Sequence, residues 1–220
     1  ILSHYFFEQP IDFSESPLQR LVIEDSANMG SIVGELSDQV KGLAGRFILA
    51  ESSVEYDISK RVVLIIDPFS LEISSKDVVS GLQKKVADYL LNGDNYLQTN
   101  EVLESVIELI LTKSLDVESS ITMDGLSIQS VMKAVSLKLM EPDDICQRLC
   151  DYAAVASKYA GKMLFVMVNV DCFVSDTDYS DCVRNLRYLN IPILLIESDC
   201  KTDSIPTKII DRDFCELNFW

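Results

Sequence analysis

The chain has no G-x-x-x-x-G-K-[ST] segment, so it lacks the loop of amides, lysine and hydroxyl that holds the terminal phosphates and magnesium of a nucleoside triphosphate. Its glycine-bearing stretches, Ser26 to Gly34 and Gly42 to Gly45, both lack that lysine and hydroxyl pair. Histidine is reduced to His4, and no G-x-S-x-G elbow is present. Ser-Lys neighbours such as Ser75-Lys76 stand outside any supporting motif. These absences weigh against nucleotide turnover and against acyl transfer, which needs a base oriented beside its nucleophile. Six cysteines include no Cys-x-x-Cys pair, and with one histidine they support no zinc cluster. Reduced structural thiols in a cytosolic protein are expected. No apolar run reaches membrane-spanning length, and Ile1 to Phe7 carry no basic flank or cleavage pattern. The expectation is a soluble, cytoplasmic chain with no membrane partner.

Positive charge is scarce as well: 19 Lys and Arg face 35 Asp and Glu, a formal charge of -16. Such a surface repels a polyanion at long range unless its bases gather on one face. Hydrophobic content of 48% over 220 residues allows one substantial core, or one core with a smaller helical layer.

Four short apolar runs end in a carboxylate or amide: Leu21-Val22-Ile23 into Glu24 and Asp25, Val62 to Ile66 into Asp67, Met163 to Val168 into Asn169, and Pro192 to Ile196 into Glu197. Polar groups where buried strands emerge are what an α/β fold places at its binding edge. Phe6 to Phe13, Arg20 to Ile23 and Arg46 to Leu49 read as further strands, and Thr207 to Ile210 as an edge strand. Helical spacing marks Asn28 to Val40, Lys76 to Leu91, Glu101 to Leu115 capped by Thr99 or Asn100, Ser127 to Leu139, Asp143 to Tyr159 and Asp178 to Leu189. The resulting fold class is α/β with a mostly parallel sheet and an inserted all-helical domain. With the Asn92-Gly93-Asp94-Asn95 turn as boundary, residues 1–92 and 161–220 form the core and 93–160 the helical domain.

Two groups of side chains carry candidate chemistry. Asp116, Glu118 and Asp124 crowd one connection between predicted helices, and hard cations such as calcium gather carboxylate oxygens of this kind. An ordinary solvated linker is the competing reading. Lys84 and Lys85, Lys133 and Lys138, Lys158 and Lys162, and Arg184 and Arg187 form basic pairs on or at the ends of helices. Such pairs are usually solvated faces, but several copies arranged around one opening would make a continuous positive lining.

From Gln9-Pro10-Ile11 and Leu21-Val22-Ile23-Glu24-Asp25 through Leu115-Asp116-Val117-Glu118, Met132-Lys133-Ala134, Lys162 to Asn169, Tyr188 to Glu197 and Ile210-Asp211-Arg212-Asp213-Phe214, the chain resembles a family of small DNA-binding proteins. That family serves spacer acquisition in type II-A CRISPR systems. The resemblance implies a core like a degenerate P-loop ATPase domain, without nucleotide chemistry or catalysis, plus a helical domain. It implies a homotetrameric ring, stabilised by Ca2+, that takes double-stranded DNA, particularly linear ends, through a basic hole. Partners implied are the two core CRISPR integration proteins and the type II effector nuclease. Asp116, Glu118 and Asp124 match the calcium-bearing loop, with Ser119 and Ser120 where relatives are more acidic. Lys133 matches a basic position, while Asn28 to Leu36 lacks the lysine often found near that helix start. The DNA-facing set is therefore drawn as Lys133, Lys138, Lys84, Lys85, Arg184 and Arg187. A nucleotide-dependent α/β enzyme with a divergent phosphate loop and an acidic protein-binding scaffold remain as alternatives.

Overall fold

A computed structural model describes residues 1–123, 125–201, 203–213 and 215–219. The chain runs through β1 Leu2–Ser3, β2 Leu18–Ile23, α1 Ser26–Val40, β3 Ile48–Glu51, β4 Val54–Tyr56, α2 Ile58–Arg61 and β5 Val62–Ile65. It continues through α3 Lys76–Leu90, α4 Asn95–Leu115, α5 Ile128–Ala134, α6 Ile145–Ala160, β6 Leu164–Val168, α7 Asp176–Tyr188, β7 Ile193–Glu197, β8 Thr207–Ile210 and β9 Glu216–Phe219. One sheet has the order β5-β6-β7-β2-β8-β9, parallel except for the antiparallel β8–β9 pair. A second, antiparallel sheet joins β1, β3 and β4.

Strands β2, β6 and β7 are buried along their whole length, as strands of a parallel sheet are when helices cover both faces. On one face Met29, Ile32 and Leu36 of α1 join Leu21, Ile23, Val166, Val168, Leu194 and Ile196 in a single cluster. On the other, Tyr152 of α6 meets Phe165 edge-on at 6.3 Å, and Tyr179 of α7 reaches Arg20 of β2. Full burial of a side chain such as Leu21 or Ile32 contributes roughly 1.5–3 kcal/mol.

Several expected elements shift. Phe6 to Phe13 forms no extended strand: the backbone bridges only at Leu2 and Ile11, and the rings of Tyr5, Phe6 and Phe7 pack about His4 instead. Thr207–Ile210 is not the edge of the sheet, because β9 folds back on it with Lys208 opposite Asn218. The helix expected from Glu101 starts at Asn95, so Thr99 is not its cap; Thr99 is buried and its hydroxyl donates to Leu90 O at 2.9 Å. Helix α5 stops at Ala134, short of Leu139, where the chain turns extended and Val135 O accepts from Gln83 Nε2 at 3.0 Å.

The chain divides into two compact units, residues 1–73 with 141–220, and 74–140. The helical insertion thus starts at Ser74 and ends at Met140, whereas the sequence reading puts it at 93–160. Asn92-Gly93 is a turn inside this helical unit, with Gly93 at φ 61 between α3 and α4. Helix α6 belongs to the sheet unit because its Cys146, Leu149, Cys150, Ala153 and Ala156 make a buried face of mostly small side chains.

Candidate nucleic-acid interface

The polar residues at the strand ends are largely committed to local structure. Asp25 caps α1 by accepting from Asn28 N at 2.8 Å, and Asp67 caps the 3₁₀ turn Pro68–Ser70 by accepting from Phe69 N at 2.9 Å. Asn169 takes a left-handed conformation, φ 50, and its backbone N–H donates to Ile196 O at 2.8 Å. The connection from β2 to α1 is only Glu24-Asp25, much shorter than the roughly eight-residue phosphate loop. A carboxylate already occupies the helix N-terminus where an anion would bind.

Glu197 is the exception, and it belongs to a network that sequence reasoning missed. Arg20 and Glu197 have side chains with 0% exposure, and Arg20 Nε lies 2.6 Å from Glu197 Oε2. The guanidinium also donates to Asp203 Oδ1 at 2.7 Å and Oδ2 at 2.5 Å, and to the Tyr179 hydroxyl at 3.0 Å. Tyr179 in turn donates to Glu197 Oε1. Burial pushes Glu197 above the usual carboxylate range, against the opposing pull of Tyr179 and Arg20. Burial alone would lower Arg20, but Asp203 and Glu197 outweigh it and raise it. Burial and the bond to Glu197 likewise raise Tyr179. Asp203, with a side chain 28% exposed, is its one opening to solvent, and the group ties β2, β7, α7 and the Asp203 loop together. Its only signal was an arginine directly preceding the apolar run Leu21 to Ile23.

The predicted bases separate into two classes. Arg184 is paired with Asp181 at 2.8 Å, and Arg187 donates to Ser204 Oγ and O, both at 3.2 Å. Both belong to the sheet unit. Lys84, Lys85, Lys133 and Lys138 all belong to the helical unit, are exposed, and have no ion-pair partner among the described residues. Lys84 of α3 and Lys133 of α5 line one groove of about 370 Å3, floored by Ala87 and Met132 and bordered by Asp88. Charge is segregated within this unit: α3 and α5 together carry four Lys against two Asp, whereas α4 carries three Glu against one Lys. Helix α4 also exposes an apolar row, Val102, Val106, Leu109 and Ile110.

Of the predicted calcium ligands, Asp116 and Glu118 each bond to a near neighbour in sequence. Asp116 follows the last turn of α4 and pairs with Lys113 at 3.4 Å. Glu118 Oε1 accepts from Ser120 Oγ at 2.9 Å and from Ser120 N at 3.3 Å. Asp124 lies outside the described residues. Among the described residues no three His, Cys, Asp or Glu converge to hold a metal, while calcium takes six to eight oxygens. No described helix is long and apolar enough to cross a membrane.

A sequence model of the CRISPR-associated protein family Cas_Csn2 matches residues 39–214. No curated protein matches the chain. Among solved structures, a putative ABC transporter ATP-binding protein from Pyrococcus furiosus aligns over 87% of this chain and 84% of that one. Its identity is 11% and its TM-score 0.33, too low to carry a conclusion.

Proposed function

Because the chain belongs to the CRISPR-associated Csn2 family of type II-A adaptation, we propose that it binds double-stranded DNA ends, without catalysis, as a homotetrameric ring during spacer acquisition. The observation that carries this reading is the segregation of charge in the helical unit. That unit has six Lys against nine Asp and Glu, while the rest of the chain has thirteen bases against twenty-six acids. Fields decay over about 8–10 Å in ordinary salt, so a duplex near α3 and α5 meets local lysines rather than the total of -16. Phosphate contacts of this kind hold DNA without reading its sequence.

Self-association is supported by α4, whose exposed apolar row would be covered by a second copy. The sheet unit is taken as a degenerate P-loop-like core: its interior strand β2 runs directly into α1, with Glu24-Asp25 in place of a phosphate loop. Its working partners are the CRISPR integration proteins and the type II effector nuclease in the cytoplasm. Calcium belongs to the reading as a condition of assembly, with Asp116 and Glu118 as two of its ligands. Further oxygens would have to come from outside the described residues of one chain.

Light scattering, with calcium and with chelator, followed by binding of linear and closed circular duplex at increasing salt, tests the reading. The expected result is a calcium-dependent particle of four times 24.7 kDa that captures linear DNA and releases it steeply as salt rises. Leu109→Glu should shift the particle toward smaller assemblies. A monomer in both conditions, or binding indifferent to salt, would overturn the proposal.

A further inference from the structure

We infer that the groove between α3 and α5 seats a backbone phosphate of the duplex between Lys84 and Lys133. This inference rests on the DNA-binding reading above and assigns it a place. Both lysines are exposed and unpaired among the described residues, and they come from different helices that converge on one concavity of about 370 Å3. The convergence is fixed by the fold rather than by the lysines. Gln83 Nε2 donates to Val135 O at 3.0 Å, fastening the end of α5 to α3, and Ala87, Ile128 and Met132 pack in one buried cluster beneath. Ser74 and Leu139 exchange two further bonds, 2.9 and 3.4 Å, at the foot of the unit.

Two ammonium groups on opposite walls suit a tetrahedral, doubly contacted phosphate oxygen pair better than a flat carboxylate, for which a guanidinium fork is the better match. Neither wall offers an arginine, and α3 and α5 contain none. The apolar floor, Ala87 and Met132, lowers the local dielectric below the bound anion and strengthens both contacts. Asp88 stands on the same wall one helical turn beyond Lys84, and its carboxylate opposes the phosphate. Arg184 and Arg187, already engaged with Asp181 and Ser204, take no part in this seat.

The test is fluorescence anisotropy of the assembled protein with a labelled blunt duplex of about thirty base pairs over a series of salt concentrations. Lys84→Ala, Lys133→Ala, the double variant, Asp88→Asn and Lys60→Ala are compared with wild type. Each single lysine loss should reduce the slope of log affinity against log salt by about 1. The double variant should lose less than the product of the single losses, because one phosphate is shared. Asp88→Asn should bind about twofold tighter or more, the sign expected when a like charge beside the anion is removed. Lys60→Ala, on the sheet unit and paired with Asp57, should match wild type. Melting curves confirm that the exposed substitutions leave the fold intact. Unchanged slope and affinity in the double variant, or weaker binding by Asp88→Asn, overturns this seat while leaving DNA binding itself standing. Absence of duplex binding by wild type overturns the seat and the underlying reading together.

Discussion

Replacing Arg20 by methionine probes the buried network most directly. The substitution keeps the length of the side chain and removes three partners at once: Glu197, Asp203 and the Tyr179 hydroxyl. Asp203 is partly exposed and recovers water, but Glu197 stays sealed with only Tyr179 as a partner. Stranding one member of a fully buried ion pair costs about 3–5 kcal/mol. For a chain of this size each kcal/mol moves the melting temperature by about 2–4 °C, so the sheet unit should melt roughly 6–20 °C lower. Because two compact units are present, unfolding is best followed by a probe confined to the sheet unit, such as amide exchange along β6 and β7. The deficit also has a required pH dependence. Glu197 is already raised by burial, and loss of Arg20 raises it further, so its neutral form is the one the folded variant prefers. Stability held by a raised carboxylate is complete below its unfolded value of about 4.3 and is lost as pH rises through the folded value. The gap between variant and wild type should therefore narrow as pH falls from neutrality toward that unfolded value. A loss under about 1 kcal/mol, or a gap that widens on acidification, would show that the charges are not buried as described.

Two further outcomes follow from other buried groups. His4 stacks on Phe47 at 4.2 Å, and burial holds its imidazole below the usual value against the pull of Glu35. Glu35, engaged by Arg46 first and by His4, is held at about 2. The histidine contribution is present above about pH 6.5 and lost as pH falls through its lowered value; that of Glu35 is lost only toward pH 2. Amide exchange at Leu2 and Ile11, which bond each other at 2.9 and 2.8 Å, should accelerate between pH 7 and 5.5 after correction for intrinsic rates, and His4→Phe should remove that step. Thiol titration with a disulfide reagent should find Cys172, Cys200 and Cys215 in the native protein, and Cys146, Cys150 and Cys182 only after unfolding. The bond to Cys150 and burial push the Cys182 thiol up, making it the slowest. Six fast thiols would place the α6–α7 contact outside the core.

The parallel strands were readable because burial on both faces leaves no polar residue to interrupt them: Leu164 to Val168 and Ile193 to Ile196 carry that mark. The helices were readable by period, and α1 and α7 lie within two residues of their expected starts. The N-terminal aromatics misled for a physical reason. Phe6 and Phe7 have high strand propensity, but a buried imidazole gave their rings a better partner than a neighbouring strand. The unit boundary was hidden because Asn92-Gly93 has the strongest turn chemistry in the region, while the true crossing at Ile73-Ser74 has almost none. Adjacent lysines were grouped by sequence, as Lys84 with Lys85 and Lys133 with Lys138. The groove instead pairs Lys84 with Lys133, a relation created by helix packing that no spacing rule reports. Arg20 and Asp203 are similarly remote in sequence, and their pairing needed the sheet order to become visible.

The acidity of the chain is less of an obstacle to a polyanionic partner than its total suggests, because many carboxylates are structural. Asp25, Asp57, Asp67 and Asp144 each accept a backbone N–H at the start of a helix or 3₁₀ turn, at 2.8, 3.0, 2.9 and 2.7 Å. There the carboxylate faces the positive end of the peptide dipoles, so part of its outward field is cancelled. Glu197 and Asp203 are matched by Arg20, Glu35 by Arg46, and Glu216 by Lys208. All eight of these carboxylates lie in the sheet unit, and none requires an external partner to account for its charge. The lysines of α3 and α5 differ in this respect. They cap nothing, bridge nothing among the described residues, and stand on exposed positions where the fold gains little from a long cationic side chain. Unspent positive charge in a chain of -16 is therefore the feature for which stability offers no reason, and it is the one from which a binding role follows.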